Sequence, residues 1–391
     1  MSETHANSPK TMKAPTALVS PTAERLAGID RLRGLVIVLM ALDHVRDFFE
    51  VDALRFSPTD LNHTYSALFF TRFITHFCAP TFVLLAGVSA FLHGVQLQNR
   101  AAQTRFLLTR GLWLIALDVF VISPVWPAQF GIIELGTLWA IGCGMIALAG
   151  LHWLSSTRVA LAVGGVIVVA HNLLDSVHAS AFGAYGPFWS LLHEQGPLPL
   201  GLEGKVHYPA LPWIGVIAVG YGLGPLFVLP AERRARLLQS AGAAAIALFL
   251  LLRGLNLYGD PAPWSGQETK TLTVLSFLNV TKYPPSLLYV LVTLGPVLML
   301  LPAMERLDGA VSRVLTVFGR TPLFFYVAHL YAMVVVYAAL MLASGSPPEN
   351  LRVGLAAAYV AWAALVAALF PVCRWFAGVK RRRPYWWVGY L

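Results

Sequence analysis

Apolar runs of about 20 residues recur along the chain, most of them joined by short polar links. About 20 residues is what a helix needs to cross ~30 Å of hydrocarbon at 1.5 Å per residue. Ten such runs can be placed, at 32–51, 73–93, 106–125, 134–153, 157–174, 209–229, 240–257, 284–303, 317–342 and 353–373. They are too continuously apolar for the alternating strands of a membrane barrel. The expected fold is all-α, a polytopic integral membrane protein of about ten transmembrane helices with lipid as its first partner.

Composition agrees. Hydrophobic residues make up 57% and charged residues only 12%, against about 25% charged in a soluble domain; mean hydropathy is +0.66. The net charge of +9 does not indicate nucleic acid, because the basic residues sit in links between apolar runs rather than on one soluble face. With the N-terminus cytoplasmic, twenty of the 28 Lys and Arg fall on the inner side and eight on the outer. That bias places both termini inside. The two longer hydrophilic segments, 175–208 and 258–283, then lie outside, as do most histidines (His44, His63, His76, His171, His178, His193 and His207). An outward-facing polar chamber is expected. Residues 1–25 read as a flexible cytoplasmic tail, 26–379 as one transmembrane domain, and 380–391 as a basic and aromatic cytoplasmic C-terminus. Cys78, Cys143 and Cys373 are scattered, and no CxxC, HxxxH or HExxH spacing marks a metal site.

The first run raises a question of depth. Its uncharged stretch, Gly34 to Leu42, is nine residues, about 14 Å, and cannot span the hydrocarbon. Either this helix is not transmembrane, or Asp43, His44, Arg46 and Asp47 lie within the bilayer, where ionisable groups are costly and mark function by default. The bland alternative is an Asp43–Arg46 ion pair that ends a short helix. Arg33 and His44 are eleven residues apart, three turns plus about 20°, so they share one face about 16 Å apart along the axis. Asp47, one turn beyond His44, is placed to orient the imidazole, with Asp43 beside it.

The stretch "GIDRLRGLVIVLMALDHVRDFF" resembles the opening of the transmembrane acyltransferase superfamily, in particular its bacterial branch related to the heparan-alpha-glucosaminide N-acetyltransferase catalytic domain. The Arg33-x10-His44 spacing is also that of acyltransferase family 3. "RFITHFCAPTFVLLAGVSAFLHG", "YPALPWIGVIAVGYGLG", "FLNVTKYPPSLLYVLVTLGP" and "GRTPLFFYVAHLY" fit the same branch. The resemblance implies an acyl group, acetyl first among candidates, passed from cytoplasmic acyl-CoA to an acceptor across the membrane, typically a carbohydrate or envelope glycan. It implies His44 as the catalytic residue and Arg33 as support for the donor. One departure concerns the heparan-acetylating enzyme, which has an asparagine at the place of His44 and its catalytic histidine in the following loop; this chain offers His63 there. The implied location is the plasma (bacterial inner) membrane, and a homodimer is compatible with it. No metal is expected.

Other residues have two readings each. His76 is either a second wall of the acceptor site or an interfacial histidine beside the kink expected at Pro80. Arg105 and Arg110 either contact CoA phosphates or anchor the inner end of a helix. Lys282, with Tyr283, either binds an acidic sugar or phosphate or anchors a helix start. His329 needs a partner inside the membrane, and Tyr326 lies one turn earlier on its face; the pair either belongs to the substrate site or is a satisfied core hydrogen bond. Asp118, Glu134 and Asp175 read as isolated structural acids. The competing function is a proton-coupled small-solute transporter built on Asp43, His44, His76 and His329. It lacks an inverted repeat and gives no reason for the Arg–His spacing.

Overall fold

A computed structural model describes residues 23–125, 132–154, 156–345 and 347–382. Residues 1–22 and 383–391, which hold most of the two expected terminal segments, lie outside the described residues. The helices are α1 (Ala23–Phe49), α2 (Ser66–Thr75), α3 (Cys78–Leu97), α4 (Arg100–Leu117), α5 (Thr137–Leu154), α6 (Thr157–Ala170), α7 (Gly186–Leu192), α8 (Ala210–Leu223), α9 (Ala231–Leu255), α10 (Lys270–Leu278), α11 (Leu287–Arg306), α12 (Gly309–Arg320), α13 (Pro322–Ser344) and α14 (Leu355–Arg382). Among the described residues, eight segments are long and apolar enough to cross a membrane: Ser66–Leu97, Arg100–Val125, Thr157–Leu174, Ala210–Val228, Ala231–Leu255, Leu287–Arg306, Pro322–Ser344 and Leu355–Arg382. Large apolar side chains such as Phe120, Val166 and Leu342 stay exposed, as a lipid-facing surface requires. Thr137–Trp153 is apolar but shorter, and α1 is long enough at 27 residues but too rich in ionisable groups.

Helix α1 tolerates those groups because it is internal. It packs against α2, α3, α11, α12, α13 and α14, and Leu32, Ala41, Val45 and Phe48 along it are buried. Its closest approach is to α12. A Cβ on Gly319 would overlap the Asp30 carbonyl, and one on Gly34 would overlap that of Leu315. The two glycines let the backbones touch, which presents the Gly319 carbonyl to Arg33.

Several boundaries differ from the sequence expectation. The helix expected over 73–93 is broken at His76 and Phe77, just before Pro80, which sits in the first turn of α3 where a missing N–H is tolerated. The run 317–342 is two helices divided at Thr321, because Pro322 starts α13. The basic C-terminus begins inside α14, which continues to Arg382. The fold also contains a small sheet that no run predicted: β1 (Ile133–Leu135), β2 (Gly196–Pro197) and β3 (Gly204–Val206), in the order β1-β3-β2. The strand pair β1–β3 is parallel and sets Glu134 opposite Lys205. The start expected for the fourth run is therefore strand, and helix begins only at Thr137.

The two longer hydrophilic segments fold over the same end of the bundle. Arg253, buried, donates to the carbonyls of Ala262, Ser276, Phe277 and Asn279. Asp260 accepts from Thr281 and Ser286. Backbone groups that a loop would leave unsatisfied are thus paired by buried side chains.

Candidate active site

Two cavities meet inside the bundle. One, called the inner cavity for the side on which the N-terminus is expected, is about 330 Å³ and is walled by Ile37, Met40, Phe82, Leu138, Ile141 and Met145, with Arg33, Arg110, Arg320 and Lys380 along its lining. The outer one, about 620 Å³, is lined by Asp43, His44, Asp47, Arg72, His76, Glu134, Lys205, His207, Lys282 and Tyr283 among others. Both volumes fall in the range of small-molecule sites. Thr137 and Tyr326 line both. His44, on the outer side, has its ring centroid 5.9 Å from that of Tyr326.

The partner of His44 comes from α13. His44 Nδ1 lies 2.8 Å from His329 Nε2, and the rings stack at 5.0 Å between centroids. His329 Nδ1 lies 2.8 Å from the Phe325 carbonyl. A carbonyl only accepts, so His329 carries its proton on Nδ1 and accepts at Nε2 from His44 Nδ1–H. His44 Nε2 then holds the basic lone pair. This is the logic by which a second group fixes the tautomer of a catalytic imidazole.

Asp47 and Asp43, expected to orient His44, are both engaged by arginines. Asp47 Oδ1 lies 2.6 Å from Arg46 Nη2. Asp43 bridges two guanidiniums, with Oδ1 3.0 Å from Arg46 Nη2 and Oδ2 bonded to Arg72 Nη1. The i, i+3 spacing put Asp47 on the right face, but Arg46 offers it a charged donor and captures it. Arg72, which sequence reasoning passed over, goes on to Tyr283, whose hydroxyl accepts from Nη2 at 3.4 Å. Glu134 is not isolated either. It accepts from His207 Nδ1 at 2.9 Å and lies 3.7 Å from Lys205 Nζ. Asp118 accepts from the backbone N–H of Gly136 and Trp139, before and at the start of α5.

The rim groups outside the spans modify one another. Burial pushes the Tyr283 hydroxyl up, but the cations Lys282, His207 and Arg72 outweigh it and hold the phenol below its ordinary value. Burial works against a charged His207, yet Tyr283 and Glu134 raise it above the usual histidine value. The Lys282 ammonium lies 5.0 Å from the Tyr283 ring centroid. His76 is buried, and its Nδ1 has no hydrogen-bond partner among the described residues.

At the inner mouth, Arg33 Nη1 donates to Asp30 at 3.0 Å and to the Gly319 carbonyl at 3.1 Å, and Nη2 donates to Ser89 at 3.1 Å. Asp30 also lies 3.5 Å from Arg320. Arg110 lines this cavity, whereas Arg105 is exposed and does not. His63 is exposed too; it bonds Asp60 at 2.7 Å, stacks on Phe56 and is absent from the lining of either cavity. The structure therefore brings together His44, Asp43, Asp47, His76, Lys282 and Tyr283 around the outer chamber, with His329 behind His44, and sets Arg33 and Arg110 in the inner cavity. It leaves His63 and Arg105 apart.

The pattern of the heparan-alpha-glucosaminide N-acetyltransferase catalytic family matches residues 25–258, more than half of the 391-residue chain. No curated protein matches the chain. The match takes in Arg33, His44, Arg72 and Glu134, and it gives the proton-coupled carrier no support. With eight apolar helices of spanning length, the chain is a multi-pass membrane protein that belongs to the heparan-alpha-glucosaminide N-acetyltransferase catalytic-domain family, a family of transferases.

Proposed function

We propose that the protein transfers an acyl group, acetyl in the first instance, from acyl-CoA in the inner cavity to a carbohydrate or related cell-envelope acceptor in the outer chamber. The observation that carries this is the shared wall: Tyr326 and Thr137 border both cavities, and His44 stands beside Tyr326 on the outer side. The cationic lining of the inner cavity (Arg33, Arg110, Arg320, Lys380) suits CoA phosphates, and its apolar walls suit a thin pantetheine arm. The chain would cross the plasma (bacterial inner) membrane ten times, counting α1 and α5, with both termini cytoplasmic. Within the family it would belong to a bacterial branch, with Arg33-x10-His44 as the functional pair.

In the reaction, His44 Nε2 removes the proton from the acceptor hydroxyl or amine as that atom bonds to the thioester carbonyl carbon. The C–S bond then breaks, and the thiolate of CoA takes the proton back from the imidazolium. His329 is a positioning residue that holds the basic nitrogen of His44 outward. The Tyr326 hydroxyl is the donor the site offers to the oxyanion. Lys282, Tyr283, His207 and His76 would bind the acceptor.

The test needs no knowledge of the acceptor. Purified protein is melted in detergent with and without acetyl-CoA, as wild type, Arg33→Ala and His44→Ala. Ligand at 100 times its dissociation constant stabilises by about 2.7 kcal/mol. Wild type and His44→Ala should shift, and Arg33→Ala should shift much less. If saturating acetyl-CoA moves none of the three, the donor reading is wrong.

A further inference from the structure

Away from both cavities, three side chains of ligand type converge where α6 ends. His171, Asp175 and His193 each place one possible ligand atom within 4.8 Å of the other two. His171 and His193 are each 2% exposed. Neither ring nitrogen of His171 has a hydrogen-bond partner among the described residues. The Pro285 backbone acts on that ring without meeting hydrogen-bond geometry. A buried imidazole with no well-formed hydrogen bond at either nitrogen is rare in a folded protein and leaves a ring lone pair available to a ligand.

The remaining contacts fit a prepared site. Asp175 Oδ2 accepts from Asn172 Nδ2 at 2.8 Å, and Asn172 Oδ1 in turn accepts from the Leu287 N–H at 2.9 Å. The carboxylate is thus oriented from behind, as ligating carboxylates are. His193 stacks on Trp189 with centroids 5.5 Å apart. Its Nε2 lies 2.8 Å from the His171 carbonyl and 3.7 Å from Asp175 Oδ1.

We propose that His171, Asp175 and His193 bind one divalent transition-metal ion of the zinc type. Two imidazoles and a carboxylate suit zinc, with water completing four-coordination. Imidazole donors disfavour magnesium and calcium. Ligation through His193 Nε2 uses the Nδ1–H tautomer and exchanges the hydrogen bond to the His171 carbonyl for the metal; a neutral ring releases no proton in doing so. The ion clamps the 175–208 segment, through α7, to the end of α6. Asn172 carries that restraint to the start of α11, four residues after the chamber residue Tyr283. Sequence spacing hid the site, since His193 is 22 residues from His171.

The full chain, purified in detergent, is stripped with EDTA, given a slight excess of Zn²⁺, passed through gel filtration and analysed for metal. Wild type should retain about one zinc per chain, His63→Ala the same, and His171→Ala and Asp175→Asn less than about a tenth of it. The wild-type protein loaded with Co²⁺ should display the intense visible bands of a four-coordinate site. This second measurement decides if a variant does not elute as a single folded species. Wild type that emerges metal-free, a cobalt spectrum without those bands, or equal zinc in wild type and the two ligand variants would overturn the proposal. None of these readouts involves acyl transfer.

Discussion

The two cavities that meet at Tyr326 are built on opposite terms. The inner one has largely apolar walls and carries its cations where Arg33, Arg110, Arg320 and Lys380 come together. The outer one is crowded with ionisable side chains, and the innermost of these answer one another: Asp43 sits between Arg46 and Arg72, and Glu134 between His207 and Lys205. On the proposed reading, the difference teaches that the inner cavity would select by shape and terminal charge. The outer chamber has already balanced most of its charge internally and selects by the few groups left over, such as His76 and Lys282. A buried ion pair is poor evidence of stability gained, but breaking one is costly, so the two cavities should respond to mutation in different currencies.

That contrast can be broken or sharpened by experiment. The largest effect is expected at Asp43. Asp43→Ala leaves Arg46 and Arg72 short of a carboxylate, a loss of ~3–5 kcal/mol for a buried pair. Its melting temperature should drop accordingly, and a variant that melts with wild type would mean that water already shields those guanidiniums. His44→Ala should lower transfer to an amino-sugar acceptor by roughly 10²–10⁴-fold, followed as free CoA, while the stabilisation by acetyl-CoA persists. Equal rates would remove His44 from the chemistry. His329→Ala should cost about 10²-fold through a misplaced base. His329→Gln, which still offers an acceptor to His44 Nδ1–H, should recover much of that; no recovery would argue against the relay. Arg33→Ala should weaken acetyl-CoA by about 1.5–3 kcal/mol, the worth of hydrogen bonds to a charged group, and binding calorimetry giving an unchanged Kd would place the donor elsewhere.

The smallest effect concerns pH. The bond from His63, followed by the Asn62 backbone, holds the exposed Asp60 carboxyl below its ordinary 3.8. A depressed carboxylate contributes stability above its unfolded pKa and loses it as pH falls through the folded one. His63→Ala should therefore melt slightly below wild type near pH 6, with the gap closing as pH drops beneath 3.8. A growing gap in acid would reverse the sign of this coupling. Transfer should be unaffected, because His63 lines neither cavity.

Much of the architecture was legible because membrane burial writes long signals. The interior helix with its ionisable cluster, the interruption near Pro80, and the two hydrophilic segments folding over one cavity all follow from apolar length and proline chemistry. The site was legible only in part. Local spacing linked His44 to Asp47 and His329 to Tyr326, since neighbours on one helix face are all that periodicity reveals. The true partners, His44 and His329, are 285 residues apart. Nothing in either helix announces the other. The sheet was invisible because strands of two and three residues leave no alternation to read. Arg72 drew no attention in the sequence, because its partner Asp43 lies 29 residues away on another helix.

The side chains of Tyr326 and Thr137 each border both cavities. Machines that move cargo over a bilayer usually rock whole bundles on microsecond-to-millisecond timescales. The proposed transfer asks for nothing of the kind. Under that proposal only the acyl carbonyl has to be reachable from both compartments, while nucleotide and acceptor each stay at home. The passenger would then cross by exchanging one bond for another, with no need to open the lipid barrier to ions.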